Sequence, residues 1–237
     1  QRNADLIKTY IDGIYNTILI KDIARRENIS DITLLENIVK FLCSAVGSPV
    51  SVKKISDTIN SSGRKVSVNT VESYVRALVR SYIFYPVHRF DIKGKQYLKT
   101  LGKYYIVDTG IRNNLLFSAS PDTGHLLENI LYLELLRRGR AVYTGKIDEK
   151  EVDFVASGPD GTAYYQAAAS VLDEHTLQRE LEALRRIKDN HPKYLLTLDD
   201  QLSPANHEGI RQMNLIDWLL APHQDPAVLT GLPALKE

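Results

Sequence analysis

The sequence contains a single cysteine and no long apolar run, and each shortage excludes a class of protein. Cys43 alone cannot build a disulfide framework or a cysteine-based zinc site, so a reducing cytoplasm is the expected location. No run approaches the ~18 apolar residues that a membrane-spanning helix requires. The remaining composition, with 43% hydrophobic and 25% charged residues in 237, predicts an ordinary globular fold.

Signatures of common catalytic sites are also missing. The Gly-Lys pairs that begin at Gly94, Gly102 and Gly145 lack the upstream glycine and the following hydroxyl of a phosphate-binding loop. We therefore expect no ATP site of that type within these residues. The histidines are scattered without the paired spacing of a metal site, and no Gly-x-Ser-x-Gly elbow occurs.

The small net charge of +1 conceals a strong asymmetry along the chain. Residues 51–103 contain eleven Lys and Arg residues against three acidic residues, whereas the rest of the chain contains nineteen against twenty-six. A basic segment within an acidic remainder is typical of a surface that faces a polyanion. The sequence thus predicts a nucleic-acid contact in this region.

Residues 32–119 have the pattern of a winged-helix domain. The predicted elements are helices Leu34–Val46 capped by Thr33, Val52–Asn60 opened by Ser51 and Thr70–Tyr82 capped by Asn69, then β-prone segments at 83–90 and up to 107 around a turn at 91–95. In a winged helix the third helix enters the major groove and the hairpin touches the DNA backbone.

Polar residues on the third predicted helix and cations near it form the predicted nucleic-acid surface. These residues are Arg64, Lys65, Asn69, Ser73, Arg76, Lys93 and Lys95. Arginine and lysine at such places contact phosphate groups in DNA-binding proteins. The alternative is structural, since winged helices often only hold proteins together and lysines at turns are usually just solvated.

Residues 120–221 predict a second domain, with a loose tail at 222–237. The order is a helix ended by Gly139, strands near 141–144, 151–156 and 163–168, a helix at 173–189 and a strand at 193–198. Residues 199–209 are predicted to form a loop, and 214–220 to close the fold. This is the αβββαβ core order of restriction-endonuclease-like (PD-(D/E)XK-type) nucleases, and the chain is expected to be α+β or α/β.

Three polar residues lie at the positions that such a nuclease uses. Asp153 and Gln166 occupy the two strand positions that hold Mg²⁺, and Glu128 occupies an auxiliary position on the preceding helix. The place of the lysine that stabilises charge on phosphate is taken by Ala168. Each residue also has a structural alternative: Glu128 as a backbone bridge, Asp153 in a buried ion pair and Gln166 as a satisfied polar group.

Several segments together resemble one large prokaryotic family. They are Tyr10-Ile-Asp-Gly-Ile-Tyr-Asn-Thr, Asp91-Ile-Lys-Gly-Lys, Lys103-Tyr-Tyr-Ile-Val-Asp, Leu127-Glu-Asn, Tyr132-Leu-Glu-Leu-Leu, Glu151-Val-Asp-Phe-Val and Tyr165-Gln. The chain is similar to the C-terminal region of predicted AAA+-type ATPases that carry a conserved C-terminal domain of unknown function. The resemblance covers nearly all of residues 10–220.

This resemblance implies an architecture more than a reaction. It implies an ATPase domain ahead of the winged helix, so residues 1–31, which start at Gln1 without an initiator methionine, are expected to be its remnant or linker. It also implies nuclease-like positions at Glu128, Asp153 and Gln166. Ala168 departs from active nucleases, which puts catalysis in question.

The expected function is DNA binding by the non-ATPase region of such a protein, with a degenerate nuclease domain and a missing ATPase domain as its partner in cis. One alternative is an active Mg²⁺-dependent DNA endonuclease that uses Glu128, Asp153 and Gln166. A second alternative is a regulatory module that binds a protein partner and no nucleic acid.

Overall fold

The computed structural model describes residues 2–116, 123–200 and 204–221, and these residues have a mixed α/β fold. Side chains are described in these ranges except at residues 2–4, 18–20 and 99–101. The expected tail at 222–237 and the expected domain boundary at residues 119 and 120 lie outside them. Within the described ranges, no helix combines the length and apolar character that crossing a bilayer requires.

The chain forms two compact units. Unit 1 comprises Gln1–His88 and Lys99–Asn129, and unit 2 comprises Arg89–Leu98 and Ile130–Glu237. Residues 1–31, expected to be the remnant of a preceding domain, belong to unit 1. The chain passes from one unit to the other within three elements: strand β1 (Phe84–Asp91), strand β2 (Gln96–Ile106) and helix α7 (Thr123–Arg137).

Unit 1 is mainly helical. Its helical elements are α1 (Arg2–Ile14), a π-helical segment (Tyr15–Ile23), α2 (Ala24–Arg26), α3 (Ile32–Ser44), α4 (Val52–Ser61), α5 (Val68–Arg80) and α6 (Thr109–Leu116). Helices α3, α4 and α5 contact one another through apolar stripes, such as Leu35, Ile38 and Leu42 of α3. The predicted order of three helices followed by two strands is confirmed.

Local side chains fix where these helices begin. Ser51 caps α4 as expected, because its Oγ accepts the N–H three residues later at 3.0 Å. The other two predicted caps are wrong: Asp31 rather than Thr33 caps α3, and Ser67 rather than Asn69 caps α5. All four residue types can cap a helix, so composition alone could not choose between near neighbours.

Unit 2 is built on a mixed sheet. Its further elements are β3 (Ala141–Ile147), β4 (Lys150–Gly158), β5 (Gly161–Ala168), α8 (Glu174–Arg185), β6 (Lys193–Thr197), β7 (Ala205–His207), β8 (Ile210–Asn214) and α9 (Leu215–Leu220). The strands follow the order β1–β3–β4–β5–β6–β8–β7. Strands β3, β4 and β5 are antiparallel, whereas β5, β6 and β8 run parallel.

Helix α8 covers the core of unit 2, where Leu181, Leu184 and Ile187 pack with Val155 of β4 and Leu195 of β6. The predicted order of helix, three strands, helix and strand is confirmed by α7, β3, β4, β5, α8 and β6. The sequence missed β7 and β8. Both strands are short, and their polar residues hide the alternation that marks a strand.

Candidate functional site

Helix α5 of unit 1 presents the polar face that its sequence predicts. Asn69, Ser73 and Arg76 are exposed, whereas Val71 and Val75 are buried against the helices of unit 1. Asparagine and arginine carry the donors and acceptors that read base edges, and arginine also binds phosphate. The face is therefore chemically suited to a nucleic acid.

Acidic neighbours bind several cations near this face. The ion pairs are Arg64–Asp31, Arg76–Glu72 at 2.9 Å and Arg80–Glu27 at 3.5 Å. The Leu34 N–H lowers the pKa of Asp31, and the Arg64 guanidinium lowers it further. Surface ion pairs of this kind contribute about 0–1 kcal/mol, so a phosphate group can compete with the carboxylates.

Three lysines near α4 and α5 have no such partner. Lys53, Lys54 and Lys65 are exposed, and none of their ammonium groups has a hydrogen bond or ion pair within the described ranges. Only Lys65 was a predicted contact. Lys53 and Lys54 also lie in the basic segment. They were not predicted contacts, because they belong to the first turn of α4, which is not the expected recognition helix.

A short strand segment joins the α3–α4 connection to β2. Val50 forms an isolated antiparallel bridge with Gly102, and its N–H donates to the Gly102 carbonyl at 3.0 Å. A Cβ at residue 102 would lie 2.6 Å from the Val87 carbonyl oxygen, so this close approach requires glycine. The bridge connects the strands of unit 1 to its helices, and no local sequence pattern predicts it.

Lys93 and Lys95 lie in unit 2, whereas the other predicted nucleic-acid contacts lie in unit 1. They occupy the turn between β1 and β2, where Asp91 Oδ1 accepts the N–H groups of Lys93 and Gly94. The Lys93 ammonium is 3.2 Å from Asp148. Lys95 is exposed and adopts a left-handed conformation with φ 50°.

Glu128 lies in unit 1 within a buried polar cluster. Its Oε2 is 3.2 Å from the Lys103 ammonium and accepts the Tyr105 hydroxyl at 3.0 Å. The Lys103 side chain is 4% exposed and that of Glu128 is 13% exposed. The neighbouring Asn129 forms two hydrogen bonds with the backbone of Ile106. Lys103, which the sequence did not single out for a site, is thus the cation that neutralises Glu128.

Asp153 and Gln166 lie side by side in unit 2. The Gln166 Oε1 accepts the Asp153 N–H at 3.2 Å, and Asp153 Oδ2 accepts the Ala167 N–H at 2.8 Å. These side chains replace backbone pairing where the β4–β5 ladder ends at Phe154 and Tyr165. The sequence prediction that the two residues meet on neighbouring strands is confirmed.

A β-bulge occurs at the same place. Tyr143 lies opposite Val155 and Gly145 opposite Val152, so Thr144 of β3 faces two residues of β4, Asp153 and Phe154. Bulges are frequent next to active sites, where they redirect a side chain. Here the bulge contains Asp153, the carboxylate that the sequence predicted to be a site residue.

Glu180 on α8 joins this group, although the sequence did not indicate it. The Gln166 Nε2 donates to Glu180 Oε2 at 3.0 Å, and Arg179 pairs with the other oxygen at 2.8 Å. Glu180 is one of many charged residues on an amphipathic helix, so its inward direction leaves no mark in the sequence. Ala168 belongs to the apolar core beneath α8.

The oxygen atoms that the sequence assigned to magnesium are hydrogen-bonded to protein groups in this structure. Magnesium takes oxygen ligands in near-octahedral geometry, usually with one or two carboxylates. Asp153 Oδ2 and Gln166 Oε1 each accept a backbone N–H, and Glu180 is engaged by Gln166 and Arg179. Among the residues that the structure describes, no group of three or more His, Cys, Asp and Glu side chains could hold a metal ion.

A family model described as "Domain of unknown function (DUF8612)" matches residues 1–122, just over half of the chain. An uncharacterized protein of Haemophilus influenzae (strain ATCC 51907 / DSM 11121 / KW20 / Rd) is 38% identical over 215 residues, which cover 91% of this chain and 53% of that protein.

An uncharacterized protein of Methanocaldococcus jannaschii is 28% identical over 221 residues, which cover 90% of this chain and 46% of that protein. The chain thus spans about half the length of the curated relatives it matches. No solved structure matches the chain significantly.

Proposed function

We propose that this chain, which belongs to the family described as Domain of unknown function (DUF8612), binds nucleic acid through α5 of unit 1. The exposed polar face of α5 carries the proposal, because Asn69, Ser73 and Arg76 share it and Lys65 precedes it. Arginine and asparagine match base edges, and lysine matches phosphate. Residues 51–82 carry six Lys and Arg against two acidic residues, so the local charge favours a polyanion.

A winged-helix arrangement of unit 1 is part of this proposal. It is supported by the order α3, α4, α5, β1, β2 and by the bridge between Val50 and Gly102. In such an arrangement a strand segment between the first two helices holds the hairpin strands. The third helix is then free to enter the major groove, and that helix is α5.

A degenerate restriction-endonuclease-like domain in unit 2 is the second part of the proposal. Its support is the element order from α7 to β6 and the adjacency of Asp153 and Gln166. Ala168 supplies no cation where such nucleases use lysine to stabilise charge on phosphate. We therefore assign binding rather than cleavage to this chain, and no chemical step to Asp153.

An active metal-dependent nuclease is the second candidate function. The observation in its favour is that Asp153 and Gln166 meet at a β-bulge, together with the Glu180 carboxylate. Against it stand Ala168 and the engagement of Gln166 and Glu180 by protein groups.

We also propose that an AAA+-type ATPase domain accompanies this region in the longer proteins. Its support is the sequence resemblance and the share of the Haemophilus influenzae relative, 53%, that the chain covers. The test is ATP hydrolysis by the full-length relative with and without DNA. Absence of hydrolysis under both conditions would contradict this part of the proposal.

The test of nucleic-acid binding is the affinity of the chain for a DNA duplex at about 50 mM and about 200 mM salt. Each phosphate contact releases counterions, so binding through α5 should weaken steeply as salt rises, with a slope of about −0.9 per contact. Including Mg²⁺ or Mn²⁺ and reading the DNA length on the same samples tests cleavage at the same time.

Matched variants locate the interface. Lys65→Gln and Arg76→Gln each remove one cation, so each should reduce the salt slope by about one unit. Lys40→Gln is the control, because Lys40 is an exposed lysine that lies on α3 rather than on or next to α5 in the chain. If all three variants bind as the wild-type chain does, the α5 assignment is wrong.

The remaining outcomes separate the alternatives. Cleavage that disappears in Asp153→Asn would favour the nuclease. Salt-independent, weak binding without cleavage would instead favour a module that binds a protein partner and no nucleic acid.

A further inference from the structure

Three aromatic side chains form a partly exposed cluster on unit 2. Phe90 of β1, Tyr97 of β2 and Tyr143 of β3 have ring centroids 5.0–6.2 Å apart. Phe90 and Tyr143 pack partly against the core of unit 2, but Tyr97 remains 65% exposed. Cross-strand packing accounts for the ring contacts of all three residues. The exposed part of Tyr97 is available for contact with a ligand.

Unit 2 also contains a basic cleft. It has a volume of about 740 Å³, its apolar floor includes Ile92 and Ile147, and its cations are Lys93, Lys95, Arg185, Arg186 and Lys188. Ile92 and Ile147 belong to the same core cluster against which Phe90 and Tyr143 pack. The aromatic rings and the floor of the cleft therefore rest on the same core of unit 2, and Lys95 of the cleft lies two residues before Tyr97 in the chain.

Charge in the cleft favours an anion. Its acidic residues, Asp148, Glu182 and Asp189, are outnumbered by the five cations. Asp148 binds Lys93, and Glu182 binds Arg186. Within the part of the chain that the structure describes, the ammonium groups of Lys95 and Lys188 have no hydrogen bond or ion pair.

Interactions within the protein explain the presence of only some of the cations in the cleft. Cations near the C-terminal end of α8 stabilise the helix dipole, which accounts for Arg185 and Arg186. Lys95 lies on the β1–β2 turn and gains nothing from that dipole. It also adopts φ 50°, a conformation that glycine or asparagine adopts more readily than lysine.

We propose that the surface defined by Phe90, Tyr97 and Tyr143 together with the basic cleft binds single-stranded nucleic acid. Bases stack on the exposed Tyr97 ring, and phosphates contact Lys95 and Lys188. Proteins that bind single strands combine aromatic stacking platforms with basic grooves in this way. Bases in a duplex are stacked on one another and cannot reach an aromatic ring, so the surface selects an unpaired strand.

This inference deepens the proposed function, since it rests on nucleic acid being the ligand of the chain. It adds that unit 2 binds the single-stranded form. It uses residues of unit 2 alone, whereas duplex binding is assigned to α5 of unit 1. The two proposals therefore fail separately. Loss of duplex binding in α5 variants leaves this surface unaffected, and the converse also holds.

The test is fluorescence anisotropy of the full chain with labelled oligothymidine and oligouridine of about 16 nucleotides, beside a duplex of the same length. Tyr97→Ala should weaken single-strand binding about ten-fold, since base stacking is lost. Tyr97→Phe keeps the ring and should bind as the wild-type chain does. Lys95→Asn and Lys188→Gln should each reduce the magnitude of the salt slope by about 0.7.

Tyr10→Ala is the matched control, because Tyr10 is a 70% exposed tyrosine on α1 of unit 1. It should leave single-strand affinity unchanged, and thermal unfolding should show that all variants remain folded. Equal affinity of Tyr97→Ala and the wild-type chain, or no single-strand binding at low salt, would overturn the inference. Preference for oligothymidine or oligouridine identifies DNA or RNA as the ligand.

Discussion

Two carboxylates that the sequence assigned to one site accept hydrogen bonds from different kinds of donor in the two units. In unit 1, Glu128 is neutralised by the buried ammonium of Lys103 and accepts the Tyr105 hydroxyl. In unit 2, Asp153 accepts the backbone N–H of Ala167. A buried carboxylate therefore does not by itself indicate a metal site, because a cation or a peptide N–H can satisfy it.

The largest expected effect tests the ion pair of unit 1. Lys103→Met removes the ammonium and leaves the Glu128 carboxylate buried without its counter-charge. Such changes typically destabilise a protein by about 3–5 kcal/mol. The measurement is the free energy of unfolding from urea denaturation.

Two further variants sharpen this test. Lys103→Met with Glu128→Gln removes both charges while keeping an acceptor for Tyr105, so most of the lost stability should return. Lys8→Met breaks an exposed pair with Asp12 and should cost less than about 1 kcal/mol. A cost for Lys103→Met as small as that for Lys8→Met would contradict the buried-pair interpretation.

A third carboxylate, Glu134 of unit 2, extends the comparison to arginine partners. Burial raises its pKa, but hydrogen bonds from Arg137 and Arg138 outweigh this and keep the pKa below its usual value. Arg138 also stacks on Trp218 at 3.8 Å from the ring centroid. Glu134→Gln should therefore cost about 2 kcal/mol near neutral pH, as expected for hydrogen bonds to charged groups.

The pH dependence of that cost follows from the direction of the shift. Because the folded pKa is lowered, the stabilisation is complete above the unfolded pKa of about 4.3 and is lost as pH falls through the folded pKa. Urea unfolding of both proteins from about pH 7 to about pH 3 should show their stability difference shrinking below about pH 4.3. A difference that stays constant over this range would disprove the assignment.

The smallest expected effect concerns Asp153. Asp153→Ala deprives the buried Ala167 N–H of its acceptor and should cost about 1–2 kcal/mol. Asp153→Asn keeps an oxygen acceptor and should cost less in urea denaturation. If Asn costs as much as Ala, then the hydrogen bond from the Ala167 N–H does not carry the stabilisation.

The element order was predictable because local signals were strong. Ser51 marked the start of α4, and Gly139 follows α7 with φ 71°, as a helix stop should. The caps Asp31 and Ser67 were missed because each lies two residues from another residue of a type that caps helices. Strands β7 and β8 were missed because their polar residues give no clear alternation.

The candidate sites were predictable only in part. The adjacency of Asp153 and Gln166 follows from a short turn between two strands, which the sequence displays. Lys103 and Glu180 could not be paired with Glu128 and Gln166 from sequence, since they lie 25 and 14 residues away along the chain. Such contacts depend on how elements pack.

By itself the sequence determined the element types, the polar face of α5 and the basic segment around it, because helix periodicity, capping and charge are local properties. The tertiary structure alone decided that Lys103 neutralises Glu128, that Val50 bridges to Gly102, that Tyr97 stands exposed and that unit 2 contains a basic cleft. Each of these depends on segments distant along the chain. Their contact is chosen by burial of apolar surface and by satisfaction of polar groups, which no local pattern encodes.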